Sequence, residues 1–116
     1  MKSTPWTRRF EKSCRGWQGK LGLTDWSITY KVDRCHGAWA RVEYDVDGRQ
    51  ALITAHVDMK GEGERAPERI ALHEMLHLAL ADMIAVAGLR GADHVDTGRA
   101  EHALIERLLN AIEGRP

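Results

Sequence analysis

Hydrophobic residues at the start of the chain recur with the spacing of one helix face. Thr4 is a favourable N-cap and Pro5 suits a first helical turn, so a helix is predicted to begin there. Gly19 and Gly22 are predicted to end it. Its apolar positions, three or four residues apart, are Trp6, Phe10, Cys14 and Trp17. This face is expected to pack on a sheet.

Apolar and polar side chains then alternate, which is the period of a strand with one buried face. The alternating stretches are 26–31, 38–45 and 50–58. The last two are joined by Asp47-Gly48, a common hairpin turn, so they are predicted to form an antiparallel pair. Three strands of this kind predict a small, mainly antiparallel sheet.

Residues 70–87 are almost entirely apolar, which predicts a helix buried on most sides. Gly88 and Gly91 are expected to end it, and a polar link over 91–98 leads to a last helix over 99–113. The core-facing stripe of that helix consists of Leu104, Ile105, Leu108, Leu109 and Ile112. The order of helix, three strands and two helices predicts an α+β fold.

Composition limits the chain to a single domain, residues 1–116, with 43% hydrophobic residues. The 17 basic and 17 acidic residues cancel, so overall charge gives no argument for nucleic acid or a membrane surface. No stretch reaches the roughly 18 apolar residues that indicate a membrane span. Cys14 and Cys35 are too few for a disulfide framework and favour a reducing, cytoplasmic location, with one bridge between them as the alternative.

The first 23 residues carry six basic side chains and one acidic. The basic side chains opposite the apolar face of the predicted helix are Arg8, Arg9, Lys12 and Arg15. A contact with nucleic acid is one interpretation of this basic face, but a solvated helix surface is the commoner meaning.

The chemistry of the chain centres on His73-Glu74-Met75-Leu76-His77, an HExxH pattern within the apolar helix. Histidines four apart lie on one helix face and can bind one metal ion, at about 2.0–2.1 Å from each nitrogen for zinc. Glu74 can then accept a proton from a water molecule at the metal. Burying a carboxylate and two imidazoles is costly unless a cation compensates, so a zinc site is predicted.

A catalytic zinc site usually has three protein ligands and one open position, so a third ligand must come from elsewhere in the chain. Glu101 lies one turn before Ile105, within reach of the core-facing stripe of the last helix, and is the natural candidate. His102 and His94 are its rivals.

The stretch HEMLHLALAD at 73–82, followed by RAEHALIERL at 99–108, resembles the minigluzincins, small zincin metallopeptidases of phage and prophage type. The resemblance covers the order and spacing of elements from about Trp6 onwards. It implies a minimal zincin-like fold in which a short helix after the HExxH helix supplies a ligand Glu.

Carried over to this chain, the resemblance implies that His73, His77 and Glu101 bind zinc and that Glu74 is the general base. It also implies the hydrolysis of peptide bonds. One departure is His102, because members of this group often have a second acidic residue beside the ligand Glu.

The chain is also similar to SprT-like metallopeptidases, which act on proteins crosslinked to DNA and take a third histidine from the loop after the HExxH helix. His94 lies in that region but lacks the Gly and aromatic residue that usually follow. Metzincins are excluded because Leu80 and Met83 stand where their extended motif has Gly and His.

We therefore expect a zinc-dependent metallopeptidase whose peptide or protein substrate lies extended along an edge strand. The 38–45 strand is the expected edge, because its polar face tolerates exposure. Two other classes remain as alternatives: a binding protein held together by structural zinc, and a mobile-element regulator that binds a repressor or DNA through the basic first helix.

Overall fold

Four α-helices and a three-stranded sheet make up residues 1–114, the part of the chain that the computed structural model describes. In chain order they are α1 (Pro5–Lys20), β1 (Ser27–Asp33), β2 (Ala40–Asp45), β3 (Gln50–His56), α2 (Pro67–Ala79), α3 (Ala81–Leu89) and α4 (His94–Glu113). A short 3₁₀ turn, Gly63–Arg65, precedes α2. This order confirms the predicted α+β fold.

The sheet has the strand order β1-β3-β2, with β2 at an edge as predicted. The β2–β3 pair is the expected antiparallel hairpin, whereas β1 and β3 are parallel, so the sheet is mixed. The alternation of side chains predicts strands but not which strand lies in the middle. β3 takes that place because Ala51, Ile53 and Ala55 bury its inner face completely.

Helix α1 begins where the sequence predicts. Thr4 and Thr7 form a reciprocal cap, in which the Thr7 N–H donates to Thr4 Oγ1 at 3.1 Å and the Thr4 N–H donates to Thr7 Oγ1 at 2.7 Å. On its solvent side, Arg9 donates two hydrogen bonds to Glu68 at the start of α2, and Arg15 pairs with Glu11. Part of the basic face is therefore neutralised within the molecule.

Two apolar clusters enclose α2. The larger lies between α1, α2 and the sheet and includes Phe10, Cys14, Trp26, Ile53, Met59, Met75 and Leu78. The smaller lies between α2 and α4 and consists of Leu72, Leu76, Ile105 and Leu109. The prediction that the HExxH helix is buried on most sides therefore holds for α2.

The prediction of one buried helix over 70–87 is wrong beyond Ala79. The backbone leaves helical geometry at Leu80 (φ −93°, ψ 1°), and α3 continues at an angle of 41° to α2. Met83, Val86 and Leu89 are 64%, 53% and 87% exposed. The apolar run gives no signal of where the core ends, and α3 extends past the elements that cover α2.

The chain contains no single helix within residues 1–114 that is long and apolar enough to cross a membrane. The bent pair α2 and α3 passes that test jointly on length and composition, as the buried core helix of a globular domain also does. Cys14 and Cys35 are both buried and free, so the alternative of a bridge between them does not occur.

Helix α4 begins at His94, five residues earlier than predicted. The Asp93 carboxylate accepts hydrogen bonds from the N–H groups of Val95 and Asp96, at 2.8 and 3.1 Å, and so caps the helix. Gly98 suggested a break, but a glycine inside a helix costs only about 1 kcal/mol. The predicted link over 91–98 is therefore mostly helical.

The contact between α2 and α4 provides a test of the fold. Ile105 is completely buried between the two helices, so Ile105→Ala should lower the free energy of unfolding by about 2–5 kcal/mol. Ile112, on the same helix, is 43% exposed, and Ile112→Ala should cost well under half as much. Urea denaturation of both variants measures this difference, and equal losses would contradict the packing described.

Candidate metal centre

The two histidines of the HExxH pattern direct the same ring nitrogen towards one point. His73 and His77 lie one turn apart on α2, and their Nε2 atoms are 3.1 Å apart. Two nitrogens bound to one tetrahedral zinc at about 2.05 Å would be about 3.3 Å apart. The pair therefore has nearly the spacing that a shared metal ion requires.

His102 completes a group of three. Its ring comes from α4, and one nitrogen from each of His73, His77 and His102 lies within 4.8 Å of the others. His102 Nδ1 donates a hydrogen bond to the Gly98 carbonyl at 2.9 Å, because a carbonyl can only accept. The Nε2 atom is then the unprotonated nitrogen, as a metal ligand must be.

Glu101 lies behind His77. Its Oε2 is 2.8 Å from His77 Nδ1, and both side chains are largely buried, with 11% and 15% of their surface exposed. The carboxylate accepts a hydrogen bond from the Nδ1–H group of His77. In this tautomer the lone pair of Nε2 is free to bind a metal ion. This is the carboxylate–histidine arrangement that fixes ring orientation at many metal sites.

The contacts between α2 and α4 form an antiparallel series. Along one row of α2, Arg69 contacts Glu113 at 2.5 Å, and His77 contacts Glu101. Glu106 lies between these two contacts, with Oε1 3.8 Å from His73 Nδ1 and Oε2 3.4 Å from Arg69. Each basic side chain of the row therefore faces a carboxylate of α4.

The residues that the sequence proposed as metal ligands do not all lie at one point in the structure. His73 and His77 meet as expected, whereas His94, one of the two rivals considered, lies exposed in the first turn of α4 and outside the group of three. Glu101 is at the site, but against His77 Nδ1. Its role as third ligand stays a prediction, and His102 is the side chain whose free nitrogen meets the other two.

The electrostatics of the site follow from burial. Burial, followed by the neighbouring His77 and His102, lowers the pKa of His73 to about 4, so this imidazole is neutral at pH 7. Burial, and secondarily the charge of Glu101, raises the pKa of Glu74 to about 8. Both shifts apply to the metal-free protein. A bound cation would favour the ionised form of Glu74 and the neutral form of His73.

A cleft of about 310 Å³ opens beside these side chains. His73 and Glu74 both line it, together with residues from the start of β2, the 3₁₀ turn, α2 and α4. The other lining residues are Ala38, Trp39, Ala40, Glu64, Arg69, Ile70, Glu106 and Leu109. A bound molecule would therefore lie between the edge strand and the HExxH helix.

The donor set fits a metal ion. Imidazole nitrogens suit zinc among the divalent metals, and three protein ligands leave a position open. The sequence named His102 as a rival third ligand. It did not show that the Gly98 carbonyl fixes the His102 ring, because that contact requires α4 to begin before Gly98. Comparison with protein families, with curated proteins and with solved structures found no match to this chain.

Replacing single residues tests the ligand set. Wild-type protein should bind about one zinc per chain, and His73→Ala, His77→Ala and His102→Ala should each abolish stoichiometric binding. Glu101→Gln should retain zinc with about 10–100-fold weaker affinity, because the amide oxygen can still accept the His77 Nδ1–H hydrogen bond but the negative charge beside the ring is lost. Titration calorimetry and elemental analysis measure both, with His94→Ala as the unaffected control. Loss of zinc in Glu101→Gln together with full binding in His102→Ala would assign the third position to Glu101.

The raised pKa of Glu74 predicts a pH-dependent stability of the metal-free protein. Because the folded pKa is near 8 and the ordinary value is 4.5, this stabilising contribution is present below pH 4.5 and is lost as the pH rises to about 8. With a chelator, Glu74→Gln should therefore be more stable than wild type at pH 9 by about 2–4 kcal/mol, and similar to it near pH 5. Glu64→Gln, at an exposed position, is the control. Parallel pH profiles for wild type and Glu74→Gln would contradict the burial argument.

Proposed function

We propose that this chain is a zinc-dependent metallopeptidase that hydrolyses peptide bonds with Glu74 as general base. The observation that carries the proposal is the convergence of three imidazole nitrogens within 4.8 Å, next to a cleft that is lined by His73 and by the nearly buried Glu74. Three ligands favour a catalytic role, since a structural zinc site normally has four.

Bound zinc would supply Lewis-acid polarisation of the scissile carbonyl and a lowered pKa for a water molecule. His73, His77 and His102 would hold the ion, and Glu101 would keep His77 in the required tautomer. Glu74 accepts the proton of the attacking water and returns it to the departing nitrogen, so that both fragments leave in stable protonation states.

The substrate is expected to lie along β2. Within residues 1–114 this strand pairs with β3 alone, which leaves one edge free, and its first residue, Ala40, lines the cleft together with Ala38 and Trp39 just before it. An extended peptide can add to such an edge through main-chain hydrogen bonds. Arg41, Glu43 and Asp45 are exposed on the far face, so the edge is polar and resists pairing with another sheet.

The three-histidine set favours a second candidate with the same chemistry. It is the ligand type of the SprT-like metallopeptidases, whereas the minigluzincin resemblance expects Glu101, from the helix that also carries His102, as the third ligand. For the SprT-like reading the substrate would be a protein on DNA. Arg9 and Arg15 already form ion pairs with carboxylates, which argues against a contact between the basic face of α1 and DNA. The two free, buried cysteines favour a reducing, cytoplasmic setting.

Glu74→Gln tests the proposed mechanism. Glutamine keeps the size of the side chain but cannot accept the proton, so hydrolysis of a generic unfolded protein substrate should fall by at least about a hundredfold. Zinc content and the circular dichroism spectrum should be unchanged. Glu43→Gln, an exposed carboxylate outside the cleft, should keep full activity. Undiminished hydrolysis by Glu74→Gln would remove the base from the mechanism, and zinc-loaded wild type that cleaves no protein would contradict the proposal itself.

A further inference from the structure

The cleft beside the candidate metal centre has both apolar and acidic lining residues. Its long walls are apolar, formed by Ile70 of α2, Leu109 of α4 and Ala40 of β2. Trp39 stands at the rim, 39% exposed, and its ring is held edge-on against His56 at 5.4 Å between centroids. These surfaces suit the aliphatic stem of a long side chain.

Charge in the cleft is predominantly negative. Glu64 and Glu106 both line it, and within residues 1–114 Glu64 has no ion-pair partner. Among residues 1–114 the cleft has one arginine or lysine in its lining, Arg69, which is already bound by Glu113 at 2.5 Å and by Glu106 at 3.4 Å and whose side chain is only 10% exposed. Arg69 is therefore not available to bind an incoming carboxylate.

Glu74 marks the cleft as a place for a ligand. The residue is 8% exposed, lines the cleft and makes no hydrogen bond or ion pair to the other described residues. A nearly buried carboxylate without a protein partner is costly, so a polar or cationic ligand in the cleft would stabilise it.

We infer that the cleft binds a lysine or arginine side chain of the peptide substrate, adjacent to the bond that is cleaved. The inference rests on the proposed function. The stem packs between Ile70 and Leu109, and the cationic group lies between Glu64 and Glu106, with the Trp39 ring at its side. Such a cation does not face the metal directly, because Glu106 lies on the Nδ1 side of His73, across the ring from Nε2.

The test uses zinc-loaded Glu74→Gln protein, which binds peptides without cleaving them. Short alanine-based peptides carry one lysine at successive positions, and matched peptides carry norleucine or glutamate instead. At low ionic strength the best lysine peptide should bind about five- to tenfold more tightly than its norleucine counterpart, with glutamate weaker still. Titration calorimetry measures the affinities, and raised salt should reduce the preference.

Variants then locate the cation. Adding Glu64→Gln or Glu106→Gln should remove most of the preference for lysine, while Glu64→Lys should turn it towards glutamate. Glu64 is exposed and outside the core, so its variants test the site without a risk to folding. Adding Glu43→Gln, on the far face of β2, should leave the preference intact.

The outcomes separate this inference from the function on which it rests. Binding and cleavage of the series with equal affinity for lysine and norleucine would overturn the inference and leave the peptidase proposal standing. The same holds if the preference survives in both glutamine variants. If the glutamine protein binds no peptide and zinc-loaded wild type cleaves none, both are overturned.

Discussion

The packing of α4 on α2 is the interaction on which the site depends. Ile105 and Leu109 are completely buried against Leu72 and Leu76, and this contact fixes the height of α4 along α2. Because side chains four apart share a helix face, the same contact brings the polar row of α4 opposite the polar row of α2. A handful of aliphatic side chains therefore sets the position of every group that faces the HExxH histidines.

That polar contact also determines which nitrogens are free. Each histidine of the group has an acceptor on its Nδ1 side: Glu101 for His77, the Gly98 carbonyl for His102 and, at the longer distance of 3.8 Å, Glu106 for His73. All three acceptors belong to α4. The contact of His77 with Glu101 is largely buried, whereas those of His102 and His73 are partly or fully exposed, and the Nε2 atoms of His73 and His77 are left facing each other at 3.1 Å. A site prepared like this is stabilised by a cation, which links metal binding to folding.

Sequence reasoning succeeded where one signal governs the outcome. The cap at Thr4, the hairpin at Asp47-Gly48 and the close approach of His73 and His77 all follow from local spacing, and the structure has each of them. It failed where the outcome depends on contacts distant in the chain. The central place of β3, the exposure of α3 and the meeting of His102 with α2 are set by how whole elements pack. An apolar run or a helical period in the sequence does not indicate which elements pack against one another.

The positions of the side chains in the site therefore depend on the register between α2 and α4. A shift of α4 by one turn, about 5.4 Å, would keep an apolar stripe against α2, because the stripe repeats every three or four residues. It would nevertheless separate Glu101 from His77 and His102 from the HExxH pair. The ion pairs of Arg69 with Glu106 and Glu113 exist in one register only, and they lie at the far end of the same row. The Arg69 side chain is only 10% exposed, so the desolvation of its charge offsets much of the attraction, and the net stability gained is small. The effect of these ion pairs is selective, because they distinguish the register that assembles the metal centre from neighbouring registers that hydrophobic packing alone would tolerate.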